Sequence, residues 1–217
     1  MKQLTILFSM ILLLSCSKKS TEITPVNDQL ALPASLENNV EMIIPDAVFL
    51  TGNCGNLTTP GQIENTISIL NSGVIADVNK VIIELDLSHN FAGDLVIELI
   101  APSGKKFGLL KRLGSTSDEG CGVGSRFIGG NIIRISSDQS FPAIYAPSNT
   151  TIPPGVYHPT EGSTSFPIIS MLGTGNSLIN ESIKGTWKLR VQDCGVGANT
   201  RGSVISWKLK FEIGSLK

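Results

Sequence analysis

The feature that most constrains this chain is a two-residue alternation in two runs between Val81 and Leu99. Val81, Ile83, Leu85 and Leu87 share one face of an extended segment, with Glu84 and Asp86 on the other. Leu95, Ile97 and Leu99 repeat the pattern around Glu98. Period two is the side-chain period of a β-strand, whereas the apolar stripe of a helix recurs every three or four residues. Between the runs, Asn90-Phe91-Ala92-Gly93-Asp94 supplies turn chemistry, so the pair reads as two neighbouring antiparallel strands. The second run stops at Ala101-Pro102-Ser103-Gly104, where proline removes a ladder donor and glycine permits a reversal. A two-stranded ribbon is unstable alone in water, so its partners must come from elsewhere in the chain.

The C-terminal segment repeats the alternation. Trp187, Leu189 and Val191 alternate with Lys188 and Arg190, and Ile205, Trp207, Leu209, Phe211 and Ile213 alternate with polar residues. Each strand has one face to bury and one to wet. Trp187, Trp207, Leu95 and Ile97 are therefore read as core, each worth roughly 1.5–3 kcal/mol on burial. Shorter strands are expected around Ile63 to Ile69, over Lys106 to Leu113 and at Ile132 to Ile135. Glu41 to Leu50 is broken by Pro45 and serves as an edge strand or lead-in at best. Six prolines between Ser136 and Asn180 leave room only for ordered loops. With 22 glycines, 11 prolines and 6% aromatics in 217 residues, many short strands are favoured over long helices. About eight strands in one unit make an all-β domain, a β-sandwich of jelly-roll type.

The N-terminus reads as an address. Lys2 precedes an apolar run from Leu4 to Leu14, the length of a signal-peptide core and too short to span a bilayer. Leu13-Leu14-Ser15-Cys16 resembles a bacterial lipobox, with Ser15 before the cut and Cys16 as the lipidated residue. The alternative is an ordinary secretory signal with an incidental cysteine. Residues 1–15 are thus a lipoprotein signal peptide, 16–40 a polar, proline-bearing tether, and 41–217 the folded domain. Several acyl chains, at about 0.8 kcal/mol per buried methylene, would anchor the protein to a membrane of the cell envelope. A net charge of −1 and the lack of any basic run set nucleic acid aside as a partner.

Candidate chemistry is sparse. A Ser-His-Asp site needs a histidine to take the serine proton, and only His89 and His158 are present, without a Gly-x-Ser-x-Gly elbow. Asp94 and Asp193 lie at strand ends beside glycine, where a carboxylate accepts backbone N–H bonds and fixes a turn. Asp118 and Glu119 are weak calcium candidates, since a calcium cage needs six or more converging oxygens. With Cys16 given to lipid, Cys54, Cys121 and Cys194 remain in a disulfide-permissive compartment. The preferred bridge is Cys121 to Cys194, worth about 4 kcal/mol in the chain-entropy model. A bridge from Cys54 to either of the others stays open. Three cysteines and a histidine match no zinc spacing.

The informative residues resemble a known family. A strand ending in His89 is followed by Gly93-Asp94-Leu95 and Ala101-Pro102-Ser103-Gly104. Later come Gly155, Tyr157, Pro159 and Glu161, then Gly185, Trp187, Leu189, Val191 and Asp193, then Gly202, Trp207 and Leu209. Together these resemble the P domain, or P/Homo B domain, that follows the catalytic domain of subtilisin-like proprotein convertases. The resemblance implies a β-sandwich without catalysis of its own and without a cofactor. It implies association with serine-type endopeptidases and proteolysis, and a protein partner, such as a separately encoded peptidase. Where the family carries paired acids after a phenylalanine, this chain has Phe127-Ile128-Gly129-Gly130-Asn131. A carbohydrate-binding or adhesive jelly roll is the alternative, which would need aromatic side chains exposed to stack on a glycan.

Overall fold

The computed structural model describes residues 36–49, 59–117, 120–144, 149–161, 178–197 and 201–217. Among these, eleven strands form two sheets and no α-helix is present. The six-stranded sheet contains β1 (Glu37–Asn38), β2 (Met42–Ile44), β4 (Val81–Ser88), β7 (Ile133–Ile135), β8 (Gly155–Tyr157) and β11 (Gly202–Phe211). Its order is β1-β11-β4-β7-β8, with β2 also paired to β11. The five-stranded sheet is ordered β3 (Gly61–Ile69), β10 (Gly185–Asp193), β5 (Leu95–Ile100), β6 (Lys106–Lys111) and β9 (Thr160–Glu161). Only β7 with β8 and β6 with β9 run parallel. The result is the all-β, two-layer sandwich that the alternation predicts.

The hairpin expected between Val81 and Leu99 does not form. β4 pairs with β11 and β7 in one sheet, while β5 pairs with β10 and β6 in the other. The connection carries the chain across the sandwich through a single 3-10 turn, Ala92–Asp94. Its amides are held by Ser125 O at 2.7 Å and Val123 O at 3.1 Å, a foreign loop in place of a facing strand. The C-terminal segment divides in the same way, β10 into one sheet and β11 into the other. Early and late strands therefore pair crosswise, in registers from Val81–Phe211 on one side and Leu95–Asp193 on the other.

The inward faces meet in one apolar interior. Trp187 and Trp207 are 0% and 1% exposed, and Val81, Ile83, Leu85, Leu87, Leu95, Ile97 and Leu99 are all buried beside them. Both indoles find an acceptor, Trp187 Nε1 donating to Ile183 O at 2.8 Å and Trp207 Nε1 to Asn65 Oδ1 at 3.3 Å. That removes the penalty for burying their N–H groups.

Two details depart from the expected phase. The β4–β11 register shifts between Val204 and Ser206, so Val204 turns inward and Ile205, expected inside, is only half-buried. A bulge adds one residue and flips the alternation on one side of it. β11 then ends at Phe211, which leaves Ile213 77% exposed. At the N-terminal boundary the sheet takes up residues read as tether. Leu36 is buried, its carbonyl accepts from Leu209 N at 2.9 Å, and Glu37–Asn38 pair with β11. Asn38 Nδ2 also donates to Thr66 O at 2.8 Å, closing the edge between the two sheets. Cys16, Cys54, Asp118, Glu119 and most of the loop from Ser163 to Asn180 lie outside the described residues.

Candidate functional site

The motif residues that the sequence singles out converge at one end of the sandwich. His89 follows the last residue of β4, Asp94 precedes the first of β5, Asp193 closes β10 and Gly202 opens β11. His89 Nε2 lies 2.9 Å from Asp193 Oδ2, both side chains fully buried. The other ring nitrogen, Nδ1, accepts the Phe91 N–H at 3.1 Å. An acceptor Nδ1 assigns the proton to Nε2, so a neutral imidazole donates to the Asp193 carboxylate. Asp193 Oδ1 accepts the Gly195 N–H at 2.8 Å, a turn carboxylate two residues from its donor. Asp94 contributes through its backbone as well, its carbonyl accepting from Cys194 N at 2.9 Å.

Glycine is needed at two of these contacts because chains approach too closely for a Cβ. At Gly195 an added Cβ would sit 2.1 Å from Asp94 Oδ2, and at Gly202 it would sit 2.1 Å from Ser88 O. The glycines are thus part of how the end is sealed.

Arg112 completes the cluster, and sequence reasoning missed it as one residue of an apparent strand. β6 stops at Lys111, and Arg112 adopts a φ of 48°, which turns its side chain off the strand pattern. The guanidinium is fully buried, donates through Nη2 to Gly120 O, and lies with Nη1 3.8 Å from Asp94 Oδ1. The available signal was a basic pair, Lys111-Arg112, inside an apolar run that resumes at Leu113. Burial, then the charge of Asp193, pushes the Asp94 carboxyl up to about 6, against the pull of Arg112.

The cysteine expectation needs correction. Cys194 is a free thiol, fully buried, so the preferred bridge to Cys121 is not formed. Its side chain is enclosed with Arg112 inside the sealed end, while Cys121 is exposed. Burial pushes the Cys194 thiol up to about 12, which keeps it protonated and inert. Cys121 is disulfide-bonded, and the other half of that bond falls outside the described residues.

This arrangement holds loops together and has no open valence for proton transfer. The nitrogen of His89 that could take a serine proton is already bonded to backbone, and the ring is closed to solvent. His158 is likewise tied locally, its Nδ1 2.7 Å from Pro159 O. Among the described residues no three His, Cys, Asp or Glu side chains are grouped to hold a metal ion.

Comparison with known proteins covers the strands that carry these residues. Residues 78–124 and 164–211 match the proprotein convertase P-domain. The two segments carry β4, β5, β6, β10 and β11, and with them His89, Asp94, Arg112, Asp193 and Cys194. No curated protein matches the chain. Among solved structures, the serine protease of Aeromonas sobria is 20% identical with a TM-score of 0.34, covering 82% of this chain and 27% of that one. The same protease in complex with its chaperone is 19% identical with a TM-score of 0.33, covering 82% and 26%. This chain thus spans about a quarter of the length of the solved chains that it matches. The crosswise sandwich, sealed by the histidine and aspartates of both matched segments, belongs to the proprotein convertase P-domain family.

Proposed function

We propose that this chain is an exported, lipid-anchored P-domain protein that binds a separately encoded subtilisin-like serine endopeptidase, or another protein of the envelope, without performing catalysis itself. The observation that carries the reading is the family match joined to the sealed His89–Asp193 pair, whose nitrogens and oxygens are spent on holding loops. P domains are modules of subtilisin-like proteases, which supports a peptidase as the partner class. A docking surface lies beside the sealed end. Val48, Phe49 and Val196 are 79%, 53% and 46% exposed, on two loops joined by Ala47 N donating to Gly195 O at 2.9 Å. Apolar loops on a rigid scaffold suit a protein partner. Trp187, Trp207 and Tyr157 are buried, so none of them forms a stacking platform for a sugar.

Cross-linking of the full-length protein in its native envelope, followed by capture and mass spectrometry, tests the reading. Recovery of a subtilisin-like peptidase, lost on Val48→Asp with Val196→Asp, is the expected result. Retention on a glycan column with no protein recovered would overturn it. Replacing Cys16 by Ser should move the protein from the membrane to the soluble fraction. The bridge at Cys121 is proposed to close on Cys54, and a Cys121–Cys194 peptide in a non-reducing digest would count against it.

A further inference from the structure

The end of the sandwich opposite the sealed one is a floor of three loops. Ile75 N donates to Glu181 O at 2.9 Å and Asn180 N to Ile75 O at 2.8 Å, which joins residues 70–77 to residues 178–184. On its other side the same loop is joined to the C-terminal turn, Ala76 N donating to Ser215 O at 2.7 Å and Val74 N to Lys217 O at 3.2 Å. Leu70, Ile213 and Ile179 stand on this floor, one from each loop, and are 84%, 77% and 38% exposed. Leu70 directly follows β3 and Ile213 comes two residues after β11, so strand ends of both sheets carry them. Charge does not mark the floor. Lys80 pairs with Asp77 at 3.9 Å, Lys105 pairs with Glu181 at 2.6 Å, and Lys184 and Glu212 are both exposed. What the floor offers is apolar surface, along which lysine stems can lie.

The path of the chain says what covers it. β1 runs antiparallel to β11, with Asn38 beside Trp207, Glu37 beside Lys208 and Leu36 O accepting from Leu209 N. The chain before Leu36 therefore points along β11 toward Phe211 and the floor. The sealed end lies at the other end of β11, whose 10 residues span roughly 33 Å. The tether expected between Cys16 and Leu36 has the length of a coil that reaches roughly 25 Å. A lipid at Cys16 thus holds the floor, and not the sealed end, at the bilayer.

We infer that this floor rests on the surface of the lipid bilayer, with Leu70, Ile179 and Ile213 entering the boundary between head groups and acyl chains. The inference rests on the lipid-anchor reading above. A second, apolar contact fixes the orientation that a tether leaves open. The sealed end, with Val48, Phe49 and Val196, then faces away from the membrane, where a protein partner can reach it.

The test reconstitutes the full-length protein, produced with its own signal, in phosphatidylcholine vesicles with and without bromine on the acyl chains, which quenches tryptophan emission on contact. Trp187 and Trp207 are buried and supply the unquenched background. Leu70→Trp and Ile213→Trp should each lose most of their added emission in brominated vesicles, and Val48→Trp, at the sealed end, should lose none. Adding Leu70→Asp to Ile213→Trp should restore the emission, with thermal unfolding reporting that the domain is intact. Replacing part of the lipid by phosphatidylglycerol should change nothing, because the contact is apolar; quenching that needs the anionic lipid would overturn it. Protein that does not float with the vesicles overturns the anchor reading and this contact with it. Protein that floats while Leu70→Trp and Ile213→Trp are quenched no more than Val48→Trp overturns the contact alone.

Discussion

Glu84 and Asp94 are both carboxylates largely covered by protein, yet their acidities move in opposite directions. Burial raises both. At Glu84, on the outer face of the six-stranded sheet, Lys210 and Arg134 overcome burial, and the carboxyl stays below its usual range. At Asp94, in the sealed end, Asp193 adds to burial, Arg112 only partly offsets it, and the carboxyl rises to about 6. Burial alone therefore does not set the state of an acid here; the nearest charge does. The outer face carries exchangeable ion pairs, whereas the sealed end carries a network in which each group depends on the others.

The interior supplies the yardstick. Trp187→Ala should cost about 4–5 kcal/mol, read from chemical denaturation, because it opens a large cavity and strands the Ile183 carbonyl. Asp193→Ala should come close, at about 3–4 kcal/mol, since it leaves the buried His89 Nε2–H and the Gly195 N–H without acceptors. If the network view is right, Asp193→Leu with His89→Phe should recover about half of that loss. A loss under 1 kcal/mol for Asp193→Ala would show the sealed end to be no more than surface.

Asp94 gives the next effect, through pH. Its carboxyl is a weaker acid folded than unfolded, so it takes up a proton on folding, and its stabilising effect is full below about 3.8 and lost as pH rises through about 6. A shift of that size is worth about 3 kcal/mol at most. Melting temperature should therefore fall between pH 4.5 and 7, and Asp94→Asn should flatten that slope. Glu84 has the opposite sign, stabilising above its unfolded value and losing that effect only as pH falls below it. The smallest expected effect is Glu84→Gln at neutral pH, about 1 kcal/mol, because its partners remain half in water.

Much of this fold was legible from spacing alone. Period two tells which face a residue presents, and Leu95, Ile97, Trp187 and Trp207 do line one interior. It does not tell which strand lies alongside, so the alternation of Val81 to Leu99 fitted a hairpin as well as it fits two sheets. The bulge at Val204 to Ser206 has no local mark, and Ile205 was placed on the wrong face for that reason. Edge pairing of Glu37 and Asn38 depends on a buried Leu36 and on Asn38 reaching Thr66, contacts far apart in the chain. At the sealed end, His89, Asp94 and Asp193 were visible as residues at strand ends. Their meeting was not, because His89 and Asp193 stand 104 residues apart, nor was the inward turn of Arg112, which rests on a φ of 48° just past the end of β6.

Crosswise pairing has a further consequence. β4 and β5 each lack their longest neighbour until β11 and β10 exist, so neither sheet can close while the C-terminal stretch is still being made. Folding is thereby postponed until β10 and β11 have been made, with most ordering deferred to contacts between distant parts of the chain. Such a chain stays open while its early strands wait for their partners, and that delay is written into the topology itself.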